Sequence, residues 1–468
     1  MKSKKWQKDK RVSLIKSILV LKMGTKRRFK TTCLTIDDFG KGLCRIDGKT
    51  VFVTGLLPGE DGEVETYYVN GKLKEAKLIK KLTKSKDRIE PMCKYYGRCG
   101  SCNLQHLSYN KQLEYKTEKV KNLLHKFAGL DFDVKPTIGS NNPWNFRNKV
   151  QVPISTKKNK LVAGYYKENT HDLISIEHCP IESKLADELV QKVIKILNDF
   201  KLTAYNTDTG TGIIRHILVK VSEKYNQALI ALVSAKDNIY GINNIVKAIK
   251  DCDKRIVSIA LNINTAHTNV ILGPKTRVLY GTGKIKDNLC GLDFLISSRS
   301  FYQTNLKMTE TLYNKAIELA DIKPTDIVLD AYCGTGSIGL VASKYAKEVI
   351  GVELEKSSIK DAEENKKLNK INNISFVLDD CTKYILENED KRFDIIILDP
   401  PRAGTTKEFI AAVQKIKPRK IVYVSCDPNT LARDLKLFTD YEVSEVQPVD
   451  MFPHSYHVET VCDLTLKN

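Results

Sequence analysis

A cysteine at the end of an apolar run and a carboxylate in a later apolar stretch are the residues best placed for covalent chemistry. Cys426 follows the run Ile421–Ser425. Glu459 lies among valines, where a charge is unusual unless it points into a site. A thiolate can add to an electrophilic carbon of a substrate, and a carboxylate can remove a proton later in the same reaction. We interpret Cys426 as a candidate nucleophile and Glu459 as a candidate general base.

The segment after Cys426 predicts how the thiol is activated. Asp427-Pro428 and the residues to Thr430 have the composition of a helix start. The positive end of that helix would lie near the sulfur, so we expect a lowered thiol pKa. The alternative for a cysteine on an apolar strand is simple packing, which the Asp-Pro turn disfavours.

A glycine-rich turn and a series of strand-end carboxylates predict a nucleotide-like ligand. Asp330–Gly339 follows an apolar strand and opens a helix, and its glycines permit close backbone approach. Glu353 ends the next strand, where a carboxylate can accept both ribose hydroxyls. Asp380 follows the third strand.

Glycine spacing alone leaves two cofactor classes open. Gly334-x-Gly336-x-x-Gly339 also fits a nicotinamide-binding fold. The later strand end Asp399-Pro400-Pro401-Arg402 carries a polar-Pro-Pro turn, which is typical of methyltransferases that act on planar nitrogen or base rings. The sequence therefore favours methyl transfer over hydride transfer.

A cysteine group suggests a second kind of site. Cys93, Cys99 and Cys102 are separated by five and two residues, and Cys179 lies downstream before a proline. Four thiolates suit an iron-sulfur cluster or a structural zinc, and the spacing does not choose between them. His454 and His457 show no third ligand, so we do not predict a metal there.

The elements that must position these residues indicate a multidomain α/β chain. Short β-type runs separated by Asp-Gly and Pro-Gly turns predict an OB-like β-barrel over residues 24–83. A mixed α+β domain is expected over 84–299. Alternating apolar strands and amphipathic helices predict a Rossmann-like parallel sheet over 300–468.

Composition favours a polyanionic partner and a reducing location. Lys and Arg number 76 against 56 Asp and Glu, for a net charge of +20. Residues 1–23 form a basic tail whose short apolar run is broken by Lys16, so neither a signal peptide nor a membrane span is expected. Met1 and Met23 are both possible starts. Twelve cysteines without a secretory context predict a cytoplasmic protein.

The motifs together resemble the uracil-5-methyltransferase family of RNA enzymes. The matching pieces are Phe301–Asn305, Asp330–Gly336, Asp399–Arg402, Ser425–Pro428 and His457–Glu459. The resemblance implies that Gln303, Tyr332, Glu353 and Asp399 line a pocket for S-adenosylmethionine and uracil, with Gly334, Ser337 and Asp380 completing the cofactor site. It also implies that the Cys426 thiolate adds to carbon 6 of uracil, that carbon 5 then takes the methyl group, and that Glu459 removes the carbon 5 proton.

The resemblance extends to the other domains. Gly40–Gly42, Asp47–Lys49 and Gly55–Glu60 resemble a TRAM domain, an RNA-binding barrel. The four cysteines are similar to the iron-sulfur site of ribosomal members, which implies a 4Fe-4S cluster, with zinc as the alternative. We expect a monomer acting on 23S ribosomal RNA. A transfer RNA substrate, or a non-catalytic RNA-binding assembly factor, is the alternative.

Overall fold

The computed structural model describes residues 25–69, 72–129, 134–168 and 170–468. The predicted basic tail, its apolar run and both candidate start codons lie outside these residues. The chain forms two compact units. The first runs to Pro91 and adds Cys102–Gln112 and His454–Tyr456, and the second contains Met92–Ser101, Leu113–Pro453 and His457–Asn468. The predicted boundary at residue 300 lies within the second unit and stays a prediction.

The first unit contains a closed five-stranded barrel, which confirms the predicted small β-barrel. Its strands are β1 (Thr25–Ile36), β2 (Gly42–Ile46), β3 (Lys49–Val53), β4 (Asp61–Val69) and β5 (Lys72–Lys81), in the order β1-β2-β3-β5-β4. Asp47 and Gly48 both have positive φ, of 49° and 73°, as a two-residue hairpin turn requires. Small apolar residues such as Cys33, Cys44 and Val53 fill the barrel.

The second unit begins its regular structure with a helix and a mixed sheet. Helix α1 spans Tyr109–Leu123, of which Leu113 onward belongs to this unit, and a π-helical turn follows over Leu124–Ala128. The sheet contains β6 (Lys149–Lys157), β7 (Lys160–Tyr166), β8 (Leu173–Ser175), β9 (Ile214–Ser222), β10 (Gln227–Ser234), β11 (Ile256–Ile263) and β12 (Lys275–Tyr280). Helices α2 (Lys184–Asp199) and α3 (Ile242–Cys252) contribute their apolar sides to its core.

A two-stranded hairpin connects this sheet to the last part of the chain. Within the part of the chain that the structure describes, strands β13 (Lys284–Leu289) and β14 (Leu292–Ser297) pair only with each other. Ile285 and Phe294 pack in one apolar cluster with Leu218 of β9 and Val328 of the following sheet. The hairpin therefore joins the two sheets of the second unit through a continuous core.

The last part of the chain is a doubly wound α/β sheet, as the alternating pattern predicted. Its elements are α4 (Leu306–Ala320), β15 (Ile327–Ala331), α5 (Ser337–Ala342), β16 (Glu348–Glu353), α6 (Lys356–Leu368), β17 (Ile374–Leu378), α7 (Cys381–Glu387), β18 (Ile395–Leu398), α8 (Lys407–Ile416), β19 (Lys420–Ser425), α9 (Pro428–Leu435), β20 (Tyr441–Val449) and β21 (Glu459–Leu466). The strand order is β17-β16-β15-β18-β19-β21-β20. Strands β15 to β19 pair in parallel, and β21 runs antiparallel to both of its neighbours, β19 and β20. Among the described residues, no helix is long and apolar enough to cross a membrane.

Candidate active site

The carboxyl ends of the parallel strands bring most of the predicted site residues to one edge of the last sheet. Strands β15 to β19 end at or immediately before Tyr332, Glu353, Asp379-Asp380, Asp399 and Cys426. The strand order reverses between β15 and β18, which lie side by side. Open α/β sheets bind ligands in the crevice at such a switch point. The topology thus gives these residues a common crevice.

The glycine turn after β15 leaves its backbone open at one position and closed at another. Tyr332, Gly334 and Gly336 all have positive φ, of 63°, 53° and 75°. A Cβ added to Gly334 would meet no atom within 4 Å, whereas at Gly336 it would lie 2.6 Å from the Phe376 ring. Gly334 therefore provides the open backbone that a close ligand needs, and Gly336 is required by internal packing.

Two of the predicted cofactor carboxylates already accept backbone hydrogen bonds. Glu353 Oε2 accepts from Gly334 N at 3.1 Å, and its Oε1 accepts from Glu355 N at 2.8 Å. Asp380 caps α7, because its Oδ1 accepts from Thr382 N and Lys383 N. Carboxylate oxygens have further lone pairs, so both side chains are fixed in place without losing the capacity to accept from a ligand.

Three other predicted site residues form hydrogen bonds to neighbouring elements. Ser337 Oγ hydrogen-bonds to the hydroxyl of Tyr313 on α4 at 2.7 Å. Tyr332 Oη hydrogen-bonds to Thr405 Oγ1 at 2.9 Å. The main-chain oxygen of Gln303 accepts from the side-chain amide of Asn148 at 3.2 Å. The Gln303 side chain itself makes no hydrogen bond to the described residues.

The antiparallel pairing of β19 with β21 brings the candidate base to the candidate nucleophile. Ser425 pairs with Thr460, so Cys426 and Glu459 are the next residues along the two strands. Cys426 is half-buried, and Glu459 is buried with 5% of its surface exposed. Glu459 forms no side-chain hydrogen bond within the described chain. A thiol and an unpartnered carboxyl group therefore share one end of the sheet.

These groups have strongly raised pKa values. Burial raises the pKa of Cys426 to about 12, with the charges of Glu459 and Asp399 adding to the effect. Burial also raises the pKa of Glu459 to about 8, reinforced by Asp399. The pKa of Asp399 rises to about 7 through burial. The guanidinium of Arg402 opposes the shifts of Cys426 and Glu459.

The predicted lowering of the thiol pKa is wrong. Helix α9 does begin at Pro428, with Asp427 as its cap, so the expected helix start is present. Burial of the sulfur and two carboxylates outweigh it, because desolvation and negative charge both disfavour a thiolate. The resting thiol is therefore protonated at neutral pH.

The four cysteines of the predicted cluster form no disulfide bond. Cys93, Cys99 and Cys179 belong to the second unit and Cys102 to the first, and all four are half-buried. Burial raises the pKa of Cys93, and the charge of Cys99 adds to it. Across the described ranges, no three His, Cys, Asp or Glu side chains are grouped as a metal ion would require. The cluster stays a prediction.

Comparison with known proteins identifies the family. The family described as tRNA (Uracil-5-)-methyltransferase matches residues 108–467. An RNA methyltransferase of Clostridium tetani is 40% identical over 430 residues, covering 91% of this chain and 94% of the relative. One from Caldanaerobacter subterraneus is 40% identical over 445 residues, covering 94% and 98%. The chain belongs to this family. It is therefore an RNA methyltransferase of the uracil-5 type, as the motifs predicted.

A solved structure of another uracil-5 enzyme has the same architecture. The Pyrococcus abyssi tRNA (uracil-54, C5)-methyltransferase in complex with S-adenosyl-L-homocysteine superposes with a TM-score of 0.75 at 26% identity. The match covers 93% of this chain and all of that chain. The predicted Rossmann-like methyltransferase fold is consistent with this likeness, and S-adenosylmethionine is supported as the methyl donor.

The acidity of the crevice fits such a donor. Asp330 is fully buried beneath the glycine turn, and burial with the charges of Asp399 and Glu353 holds its pKa well above the usual range. Three carboxyl groups thus act on one pocket. S-adenosylmethionine carries a sulfonium and an ammonium, so a cationic ligand would relieve the repulsion among these groups.

Sequence reasoning missed two functional candidates of this uracil-5 methyltransferase. Asp330 was noted only as the start of the glycine turn, and Arg402 only as the end of a motif. The positive charge of Arg402 lowers the pKa values of both Cys426 and Glu459, and so opposes the effect of burial on each group. Its place directly after the Asp-Pro-Pro turn was the available signal, because that turn had already been assigned to the crevice.

Proposed function

We propose that the protein methylates carbon 5 of uracil in RNA through a covalent intermediate on Cys426, with S-adenosylmethionine as the donor. The observation that carries the proposal is the pairing of Ser425 with Thr460, which sets Cys426 beside Glu459 at the ligand crevice. A thiol next to a carboxyl group is the combination that uracil-5 chemistry requires.

The cofactor side of the proposal rests on residues around the glycine turn. Gln303, Gly334, Ser337, Glu353 and Asp380 would hold S-adenosylmethionine. When bound, it supplies an electrophilic methyl group. The carboxylate of Glu353 is already oriented by Gly334 N and retains acceptor capacity for ribose hydroxyls.

Cys426 carries the first covalent step. Its thiol must lose a proton before it attacks, and Asp399, with a pKa of about 7, is the acceptor we assign. The sulfur then bonds to carbon 6 of uracil as the carbon 5–carbon 6 double bond opens into an enolate. Carbon 5 of this enolate is nucleophilic enough to take the methyl group. The bond between the methyl group and the donor sulfur would break, and S-adenosylhomocysteine would leave.

Glu459 completes the reaction. Its carboxylate takes the proton from carbon 5, the electrons of that bond restore the double bond, and the sulfur leaves carbon 6 and recovers a proton. With a pKa of about 8, Glu459 is a stronger base than an ordinary carboxylate, and a minor fraction of it is ionised at neutral pH.

A trapping experiment tests this mechanism. The protein is incubated with labelled S-adenosylmethionine and RNA that contains 5-fluorouridine. Carbon 5 of this base carries fluorine in place of the proton that must be removed, so the covalent adduct between protein and RNA accumulates. Wild type and Cys252→Ala, a control cysteine on α3, should form a denaturation-resistant RNA adduct, and Cys426→Ala should form none. An adduct that survives Cys426→Ala would contradict the assignment.

We propose 23S ribosomal RNA as the substrate, with the target uridine in a loop or bulge where it can be unstacked and flipped. The solved tRNA enzyme matches 93% of this chain, so overall architecture does not favour ribosomal RNA. The proposal rests on the resemblance of the four cysteines to ribosomal members. Mapping 5-methyluridine in both RNA classes from a deletion strain tests this proposal. We expect the modification to be lost from 23S ribosomal RNA. Loss from transfer RNA alone would show that transfer RNA is the substrate instead.

We also propose that the barrel is a TRAM-type RNA-binding domain and that Cys93, Cys99, Cys102 and Cys179 bind a 4Fe-4S cluster, with zinc as the alternative. We assign the cluster no step in methyl transfer. Anaerobic purification should yield about four iron atoms per chain with broad visible absorbance. Zinc in place of iron would overturn the cluster assignment. The cytoplasmic location and monomeric state stay predictions.

A further inference from the structure

The free edge of the β13–β14 hairpin is closed by side chains rather than by another strand. Strand β14 pairs only with β13, which leaves the outward N–H groups of alternate residues without a strand partner. Helix α6 and its C-terminal cap supply the missing acceptors. Asn365 Oδ1 accepts from Leu295 N at 2.8 Å, and Asn369 Oδ1 accepts from Asp293 N at 2.9 Å.

The same row of side-chain acceptors extends to Ser297, the last residue of the strand. Ser300 Oγ accepts from Ser297 N at 2.9 Å and donates to Asp361 Oδ2 at 2.5 Å. Asp361, Asn365 and Asn369 are spaced by four residues, so they lie along one face of α6. All of the outward N–H groups at 293, 295 and 297 are therefore satisfied by this set of polar side chains.

A buried lysine holds the end of this segment from the other sheet. Lys220 of β9 is 3% exposed, and its Nζ donates to Ser297 O at 2.6 Å and to Ser300 O at 2.7 Å. Burial lowers the pKa of Lys220 well below its usual value, and the negative charge of Asp361 opposes this shift. Burying a lysine amine costs free energy that an apolar side chain would not cost. Its two hydrogen bonds tie Ser297 and Ser300 to β9, and so place the segment between them.

The segment leads directly into the cofactor crevice. The main-chain oxygen of Phe301 accepts from Thr335 Oγ1 of the glycine turn at 3.3 Å, and Gln303 follows two residues later. Helix α6 begins three residues after Glu353. One helix therefore connects the predicted ribose acceptor with the segment that carries Gln303.

We propose that Lys220, Ser300, Asp361 and Asn365 are positioning residues that set the separation between Gln303 and Glu353, and so the affinity for S-adenosylmethionine. They act through the segment Ser297–Gln303 and do not touch the ligand. The inference rests on the proposed function in one respect, that S-adenosylmethionine is the ligand of this crevice.

The test compares cofactor affinity with stability in the full chain. Calorimetric titration with S-adenosylmethionine should show Kd raised about tenfold in Ser300→Ala and Lys220→Met, the change expected from losing a hydrogen bond that holds a ligand residue. KM for S-adenosylmethionine should rise equally, while kcat at saturation stays within about twofold.

Conservative variants separate positioning from general stability. Ser300→Thr keeps the hydroxyl and Asp361→Asn keeps an acceptor oxygen, so both should bind within about threefold of wild type, whereas Asp361→Leu should weaken binding about tenfold. The matched control is Ser234→Ala, because Ser234 is a buried serine bonded to Lys236 in its own turn. It should lower Tm as Ser300→Ala does and leave Kd unchanged.

Wild-type affinity in Ser300→Ala, with only a loss of Tm, would overturn the inference. Ser300→Ala removes one atom, so the test does not depend on whether Lys220→Met folds. Calorimetry needs no RNA, which separates the two proposals. Wild type that binds the cofactor but methylates no RNA would defeat the proposed function alone, and active wild type with unchanged Ser300→Ala affinity would defeat this inference alone.

Discussion

The crevice has a cofactor half, which contains Ser337, Glu353 and Asp380, and a nucleophile half, which contains Asp399, Cys426 and Glu459. The two halves differ in how many hydrogen bonds their polar side chains form within the protein. On the cofactor half, Glu353 and Asp380 accept backbone hydrogen bonds, and Ser337 is bonded to Tyr313. On the nucleophile half, Glu459 has no side-chain partner in the described chain, and Cys426 is half-buried beside it. The first half is assembled before any ligand arrives, whereas the second contains groups that repel one another.

This difference indicates where free energy is stored in the resting enzyme. Backbone hydrogen bonds fix the position of a carboxylate. Burial raises the pKa values of Asp399, Glu459 and Cys426, and neighbouring carboxylates add to the shifts of Glu459 and Cys426. We expect substitutions on the nucleophile half to change the rate of chemistry and substitutions on the cofactor half to change binding.

The largest effect is expected from Glu459→Gln. Glutamine cannot take the carbon 5 proton, so kcat should fall about 10²–10⁴-fold. The methylated RNA should remain attached to Cys426, because the sulfur leaves only after that proton is removed. Denaturing gels with ordinary uridine RNA and labelled donor would measure the adduct. Loss of kcat without an adduct would mean that Glu459 acts before the covalent adduct forms, and would contradict its assignment as the base that removes the carbon 5 proton.

A smaller effect, on binding alone, is expected from Glu353→Ala. Losing a charged acceptor costs about 1.5–3 kcal/mol, so Kd for S-adenosylmethionine should rise about ten- to hundredfold. At saturating donor, kcat should stay close to wild type. Glu348→Ala, at the opposite end of β16 and paired on the surface with Lys391, is the control and should leave Kd unchanged. A fall in kcat with constant Kd would contradict the proposed division of roles.

The raised pKa of Glu459 also predicts a pH-dependent stability difference. The folded protein retains the Glu459 proton up to about pH 8, whereas the unfolded chain releases it near the ordinary value of 4.5. This group's contribution is thus fully present below pH 4.5 and is lost as pH rises towards 8. Glu459→Gln should gain stability relative to wild type by up to about 1.4 kcal/mol per pH unit across that range.

Thermal unfolding of both proteins without ligand at pH 5, 6.5 and 8 measures this difference. The gap between the two Tm values should move steadily in favour of the variant. A constant gap would mean that Glu459 ionises normally, and would contradict the raised pKa.

Sequence reasoning placed the strand-end residues because the carboxyl ends of parallel strands must meet at one edge. Glu353, Asp380 and Cys426 were found in this way, whereas Tyr332 and Asp399 entered the site through the resemblance to the family. The barrel turn at Asp47-Gly48 was predicted from its Asp-Gly pair. The thiol pKa was predicted in the wrong direction because only the local helix was visible. The opposing carboxylates lie 27 and 33 residues away, and burial does not appear in local sequence.

Sequence reasoning also missed the row of polar side chains on α6 that accept hydrogen bonds from β14 and Ser300, for a related reason. Asp361, Asn365 and Asn369 follow helical spacing among lysines and glutamates, a pattern that normally indicates a solvated face. Asn365 is nevertheless 1% exposed, because the free edge of β14 covers it. Only the fold shows that a two-stranded hairpin needs acceptors at that position.

The smallest effect is expected from Tyr332→Phe, which removes the hydroxyl bonded to Thr405 and keeps the ring beside Phe409 at 5.5 Å. Because this hydroxyl already has a protein partner, its loss should raise Kd for S-adenosylmethionine by less than about threefold. Thr405→Val should have a similar effect, and the double variant should add little to either single one. A tenfold loss in Tyr332→Phe without one in Thr405→Val would mean that the hydroxyl turns to the ligand. The cofactor half would then be rearranged on binding and not already assembled.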